Sequence, residues 1–111
     1  MFSDLYVMGA NGQPERCSDV IQWAKAYEST RTVARSMVGV ALISTVFLGV
    51  DHSYGASADP VLFETMVFWP GHELDEEQQR YVTRSDAEVG HAAMLLRVEL
   101  AMAQARQSEV A

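Results

Sequence analysis

Asp51 and His52 are the pair best typed for acid–base work, because a carboxylate beside an imidazole can orient the ring and favour its charged form. They stand just before Ser53 to Asp59, a glycine-bearing stretch of the kind that often carries sites. Glu64 in the next apolar run would have to join them for an enzyme pocket. Adjacent residues on a strand point to opposite faces, so Asp51 and His52 rarely serve one centre. An aspartate at a strand end also binds its own turn, and that is the preferred reading.

Metal and nucleophile chemistry find less. Glu88 and His91 stand three apart on one side of a helix, which is half of a carboxylate-bridged dimetal motif. The second Glu-x-x-His and the further helical glutamates are absent from the sequence. Asp51-His52 at a strand end and His72 after Pro70-Gly71 could in principle add ligands, but the neighbouring Asp51 and His52 would rarely bind one ion together. Cys17 is alone, which excludes an internal disulfide and a cysteine-built zinc site. It reads as a small, half-buried residue ahead of a helix. Ser53 and Ser57 lack a G-x-S-x-G elbow, and neither G-x-x-x-x-G-K nor G-x-G-x-x-G occurs. No catalytic residue, metal ligand or cofactor site is expected.

Binding residues are better represented. Glu73, Asp75, Glu76 and Glu77 form an acidic, solvated segment. Just before it, Met66, Phe68 and Trp69 beside Pro70 suit an exposed apolar edge for a partner or a second copy of the chain. Arg31 and Arg35 flank one predicted strand, and Arg80 and Arg84 flank another. Were those strands neighbours, the arginines would gather into an anion pocket suited to phosphate. Taken with the acid–base reading, the residues any pocket would draw on are Asp51, His52 and Glu64 for catalysis and Arg35 and Arg80 for an anion. Scattered arginines paired with local acids are the commoner arrangement.

The elements that must position these residues follow from periodicity. Leu5-Tyr6-Val7-Met8 reads as a short strand, and Asn11-Gly12 as a turn. Ser18 or Asp19 caps a helix whose apolar face is Val20, Trp23, Ala24 and Tyr27, ending near Ser29-Thr30. Strands follow at Thr32–Val38, Val40–Asp51, Val61–Trp69 and Arg80–Thr83. The second of these carries Ala41, Ile43 and Phe47 on one face and Val40, Leu42, Val46, Leu48 and Val50 on the other, so both faces require cover. Ser85-Asp86-Ala87-Glu88 is a capping box for a closing helix. Its apolar stripe is Val89, Ala93, Leu96, Leu100 and Ala103, and it fades near Arg106. The predicted fold is α+β: an antiparallel β-meander in the order β-α-β-β-β-β-α, with both helices on one face. One domain spans residues 1–106, and 107–111 form a frayed tail.

With 111 residues the chain is long enough to bury a core without staples. Fifteen acidic residues against eight basic ones give a net charge of −7, and Lys25 is the single lysine. Direct binding to a phosphate backbone needs clustered positive charge, so no nucleic-acid contact is expected. An acidic surface fits solubility, or a partner with a basic groove. No run approaches the roughly 18 apolar residues of a membrane helix, and Met1-Phe2-Ser3-Asp4 lacks the start of a signal peptide. These features predict a cytoplasmic protein.

The runs Ser44-Thr45-Val46-Phe47-Leu48-Gly49-Val50-Asp51-His52 and Leu62-Phe63-Glu64-Thr65-Met66-Val67-Phe68 resemble a family of small phage and prophage proteins. The likeness continues in Arg80-Tyr81-Val82-Thr83 and Ala87-Glu88-Val89-Gly90-His91-Ala92, and it covers about Ile43 to Met94. Trp69-Pro70-Gly71-His72 replaces the glycine-rich turn common in those proteins. The resemblance brings no catalytic residue with it. It implies a protein of the infected host's cytoplasm that binds and inhibits a host defence factor, in the manner of an anti-CRISPR. The alternatives are a small-molecule or nucleotide-signal sponge, and an accessory phage protein without a defence role.

Overall fold

A computed structural model describes residues 5–53 and 59–110. The described chain runs β1 (Leu5–Met8), β2 (Pro14–Cys17), α1 (Val20–Thr30), β3 (Thr32–Val38), β4 (Ala41–Phe47), β5 (Phe63–Phe68), β6 (Gln78–Tyr81) and α2 (Arg84–Val110). The fold is α+β. A four-stranded antiparallel meander β3-β4-β5-β6 carries α2, and β1 and β2 form a separate hairpin. Most of the loop read between Ser53 and Asp59, including Gly55 and Ser57, lies outside the described residues.

β2 is an addition to the predicted order. Pro-Glu-Arg-Cys has no apolar alternation, so its strand exists only because β1 pairs with it, from Leu5–Cys17 to Met8–Pro14. The turn between them uses Gly12 at φ 77°, while the Asn11 side chain accepts from the Gln13 amide. Asp19 caps α1 by accepting from the amides of Ile21 and Gln22. Of the apolar face read for α1, Trp23 and Tyr27 turn inward and stack on each other, whereas Val20 and Ala24 are exposed. The helix packs on the β1–β2 hairpin and not beside α2, which corrects the placement of both helices on one face.

Gly49 joins the hairpin unit to the sheet. Its carbonyl accepts from the Tyr6 amide at 2.9 Å and from the Trp23 indole at 3.0 Å. Its φ is +71°, and a Cβ there would lie 2.9 Å from the Tyr27 ring. Only glycine lets β1, α1 and the end of β4 meet at this point.

β4 alternates strictly. Ala41, Ile43, Thr45 and Phe47 point inward beneath α2, and Leu42, Ser44 and Val46 point outward. Phe63, Thr65 and Val67 do the same on β5. Two apolar clusters result. Tyr6, Phe47, Leu62, Phe63 and Ala87 occupy one end, and Ala41, Ile43, Val67, Trp69, Met94, Val98 and Met102 the other. Because Ala87 meets Phe47's cluster and Met102 meets Ala41's, α2 runs antiparallel to β4.

The buried line of α2 is Ala87, His91, Met94, Val98 and Met102. The stripe read from hydrophobicity, Val89 to Ala103, faces away from the sheet; Val89 is 68 % exposed, and Leu96 and Leu100 are each 57 % exposed. The helix also starts earlier than expected. Thr83 caps it by accepting from the Asp86 amide, and Glu88 pairs with Arg84 in place of a capping box on Ser85. It continues past Arg106 to Val110, through the segment read as a tail. At 27 residues it is about 40 Å long, which accounts for a radius of gyration of 16.2 Å against about 13 Å for a compact 100-residue domain.

Met94→Ala is expected to destabilise the fold by about 2–5 kcal/mol, as for other core truncations. Leu96→Ala should stay within about 0.5 kcal/mol. Urea unfolding of dilute, sub-micromolar protein compares them; equal losses would return Leu96 to the core.

Candidate functional site

The polar centre of the molecule lies between the two apolar clusters. Thr45 and Thr65 are cross-strand partners on the inner face, fully buried, with their hydroxyls hydrogen-bonded to each other. The Thr45 hydroxyl also meets His91 Nδ1 at 2.7 Å, and Ser36 Oγ on β3 meets His91 Nε2 at 2.8 Å. A neutral imidazole has one donor and one acceptor, and hydroxyls can complement either tautomer. Burial pushes the His91 pKa below its ordinary value, so the ring is neutral at physiological pH. Both nitrogens are occupied and Glu88 is exposed, so Glu88 and His91 do not form half of a metal site. Among the described residues no group of three His, Cys, Asp or Glu is placed to hold a metal ion.

Asp51 is a loop clamp. Its Oδ1 accepts from the amides of Ser53 and Val61, both at 2.8 Å, and its Oδ2 accepts from the Ser53 hydroxyl. Hydrogen bonds from the Ser53 and Val61 amides hold its carboxyl below the usual range. His52 directs Nδ1 to the Val50 carbonyl at 2.8 Å. Glu64 lies elsewhere, on the outer face of β5, in an ion pair of 2.9 Å with Arg80 of the neighbouring strand. Asp51 and Glu64 are thus committed to separate structural contacts. Cys17 is half-buried, with its thiol against the Asp19 carbonyl.

The acidic segment is more ordered than its composition suggests. Asp75 accepts from the Trp69 amide at 2.7 Å, and Glu77 reaches Arg97 of α2 at 3.9 Å. Glu76 holds φ 67°, donating its amide to the Val67 carbonyl. Glu73 and Glu76 remain exposed. Trp69 is not an exposed anchor: it is 6 % exposed, packed in the α2 cluster and stacked on His72 at 3.6 Å between ring centroids. Phe68, one residue earlier, points the other way and is 44 % exposed.

No helix covers the outer face of the sheet along the row Met37–Leu42–Phe68, which runs through three strands in register. Met37 is 62 % exposed, and Val40 in the β3–β4 turn is exposed at the same end. Since β5 is central in the sheet, Phe68 and Met66 belong to a face and not to an edge. The connection bearing the exposed Glu73 and Glu76 leaves β5 at this end.

The four arginines do not gather. β3 and β6 are the two opposite edges of the sheet, Arg80 pairs with Glu64, and Arg84 pairs with Glu88. Arg31 and Arg35 do come together, in an open cleft of about 290 Å³ with Tyr27, Thr32, Leu42, Ser44 and Val46. The gathering of all four required the strands of Arg35 and Arg80 to be neighbours, and the strand order separates them.

Comparison with protein-family models, curated proteins and solved structures gives no match for this chain. No helix among the described residues is long and apolar enough to cross a membrane.

His91→Leu should destabilise by about 1–3 kcal/mol, because the Ser36 and Thr45 hydroxyls lose their ring partner. The pH dependence has a defined sign. A histidine whose folded pKa lies below the ordinary 6.5 takes up a proton on unfolding. Its effect on stability is therefore absent above that pH, and stability falls as pH drops from 6.5 toward the folded pKa. Urea midpoints at pH 7.5 and about 5.5 should differ more for the wild type than for His91→Leu; equal differences would show that the ring titrates normally.

Proposed function

We propose that this protein is a binding protein, not an enzyme, and that it docks a partner on the helix-free face of its sheet. The observation that carries this reading is the row Met37–Leu42–Phe68 with Val40 at its end, in which Met37, Val40 and Phe68 are exposed and Leu42 half-buried, together with the exposed Glu73 and Glu76 on the connection that leaves β5 there. An apolar centre inside a charged rim is the arrangement from which protein interfaces draw affinity and orientation. Exposed acids on a chain of net charge −7 favour a partner with a basic border, such as a groove that otherwise holds nucleic acid. The resemblance to phage proteins supports a host defence factor, including a CRISPR effector, met in the cytoplasm of an infected cell. Inhibition then follows from occupying that surface.

A tagged pull-down from host lysate, read by mass spectrometry, should recover a stoichiometric partner. Met37→Glu with Phe68→Glu should lower its affinity by tenfold or more, which corresponds to about 1.4 kcal/mol. Glu73→Gln with Glu76→Gln should slow association and weaken its salt dependence, leaving Asp75 and Glu77 to their structural contacts. Undiminished capture by the Met37 and Phe68 variant would remove the sheet face from the interaction.

The cleft of Arg31 and Arg35 favours a second reading, a binder of a small anion such as a nucleotide signal. Neither arginine makes an ion pair among the described residues, Tyr27 supplies an aromatic wall, and Thr32 and Ser44 supply hydroxyls. Phosphate would take the guanidinium groups. A nucleotide panel should then raise Tm in the wild type and not in Arg31→Ala with Arg35→Ala. Flat melting curves throughout would discard this reading.

A further inference from the structure

On the far side of α2 from the sheet, Val89, Ala93, Leu96, Leu100, Ala103 and Gln107 recur at alternating steps of four and three. All six are exposed. At 3.6 residues per turn this line lies diametrically opposite the Ala87–Met102 line that covers the sheet. Alternating steps of three and four are the spacing of a coiled-coil seam, whose knobs fit the holes of a partner helix with the same repeat. Three large apolar side chains more than half exposed on one helix, at that spacing, are more than the scattered surface residues expected of a monomer.

We propose that this seam pairs with itself, joining two copies of the chain through an antiparallel pair of α2 helices with a sheet on either side. A two-fold dimer presents the same patch on both copies, so a seam of the right repeat meets its own complement. Charge selects the arrangement. Glu99 and Arg106 flank one side of the seam, and Arg97 and Gln104 flank the other. Parallel pairing in register sets Glu99 beside Gln104 and forms no ion pair. The antiparallel register that opposes Leu96 to Leu100 sets Glu99 near Glu99 and Arg97 near Arg97 of the second copy. Placing Leu100 over Ala103 of the second copy sets Leu96 over Gln107, leaves Val89 outside the paired stretch, and brings Glu99 to Arg106 twice, once at each end of the two-fold. The small Ala103 lets the helices approach closely at the centre. Arg97 keeps its contact with Glu77 and lies beside the neutral Gln104. This surface is distinct from the outer sheet face, so the dimer presents two copies of that face, pointing outward.

The paired stretch from Leu96 to Gln107 spans about three turns and buries less than the about 800 Å² per partner of a standard interface, so a micromolar dimer is expected. Sedimentation equilibrium of the full chain, from low micromolar to several hundred micromolar, should show the mass rising from 12.3 kDa toward twice that value. Leu96→Glu with Leu100→Glu should hold the mass at one chain with an unchanged circular dichroism spectrum, and Leu96→Ala with Leu100→Ala is the milder check. Glu99→Arg should weaken association about tenfold, and adding Arg106→Glu should restore it. A single-chain mass for the unmodified protein at every concentration overturns the proposal, as does a dimer that survives both leucine variants. Failure of the double charge swap to restore association overturns the antiparallel arrangement.

Discussion

The contact of His91 with the hydroxyls of Ser36 and Thr45 sets how the closing helix sits on the sheet. A buried hydroxyl or imidazole without a partner is costly. Three strands and one helix supply those partners here: Ser36 from β3, Thr45 from β4, Thr65 from β5 and His91 from α2. Rotating α2 by one residue would swing the ring through about 100° and take it away from the Ser36 and Thr45 hydroxyls. Apolar packing alone tolerates many registers, whereas this polar centre tolerates one.

With α2 fixed, the exposed surfaces are fixed as well. One face of the meander is filled by Ala87, His91, Met94, Val98 and Met102, and α1, held on the hairpin through Gly49, borders the other face only through Tyr27, at the cleft it shares with Leu42, Ser44 and Val46. The molecule is left with apolar residues on two far sides, the Met37–Leu42–Phe68 row and the outward stripe of α2. A domain of this size cannot bury both stripes of a 27-residue helix against one sheet. The proposed roles of the two surfaces follow from that geometry.

Several features were legible in the residues themselves. The apolar run from Val40 defined the strand that is β4, Asn11-Gly12 marked a turn, and Ser18-Asp19 marked the start of α1. Aspartate's habit of binding its own turn anticipated the clamp of Asp51 on Ser53 and Val61. Other features were not legible. β2 has no pattern of its own and is a strand by virtue of its neighbour. Trp69 and Phe68 are equally apolar, and only the strand's register decides that Trp69 goes under the helix and Phe68 to the open face.

By itself the sequence determined the α+β class, the meander, the approximate ends of most elements and the acidic balance. These depend on local periodicity, turn chemistry and charge, all of which act over a few residues. Tertiary structure decided which of α2's two stripes is buried. The outward stripe holds the leucines and the inward one holds a histidine, so hydrophobicity favours the wrong side. Ser36, Thr45 and Thr65 lie 26 to 55 residues from His91 along the chain, and pairing of the strands brings them into two adjacent rows beneath it. The need to satisfy those hydroxyls outweighs exposing two leucines, and no local pattern carries that information.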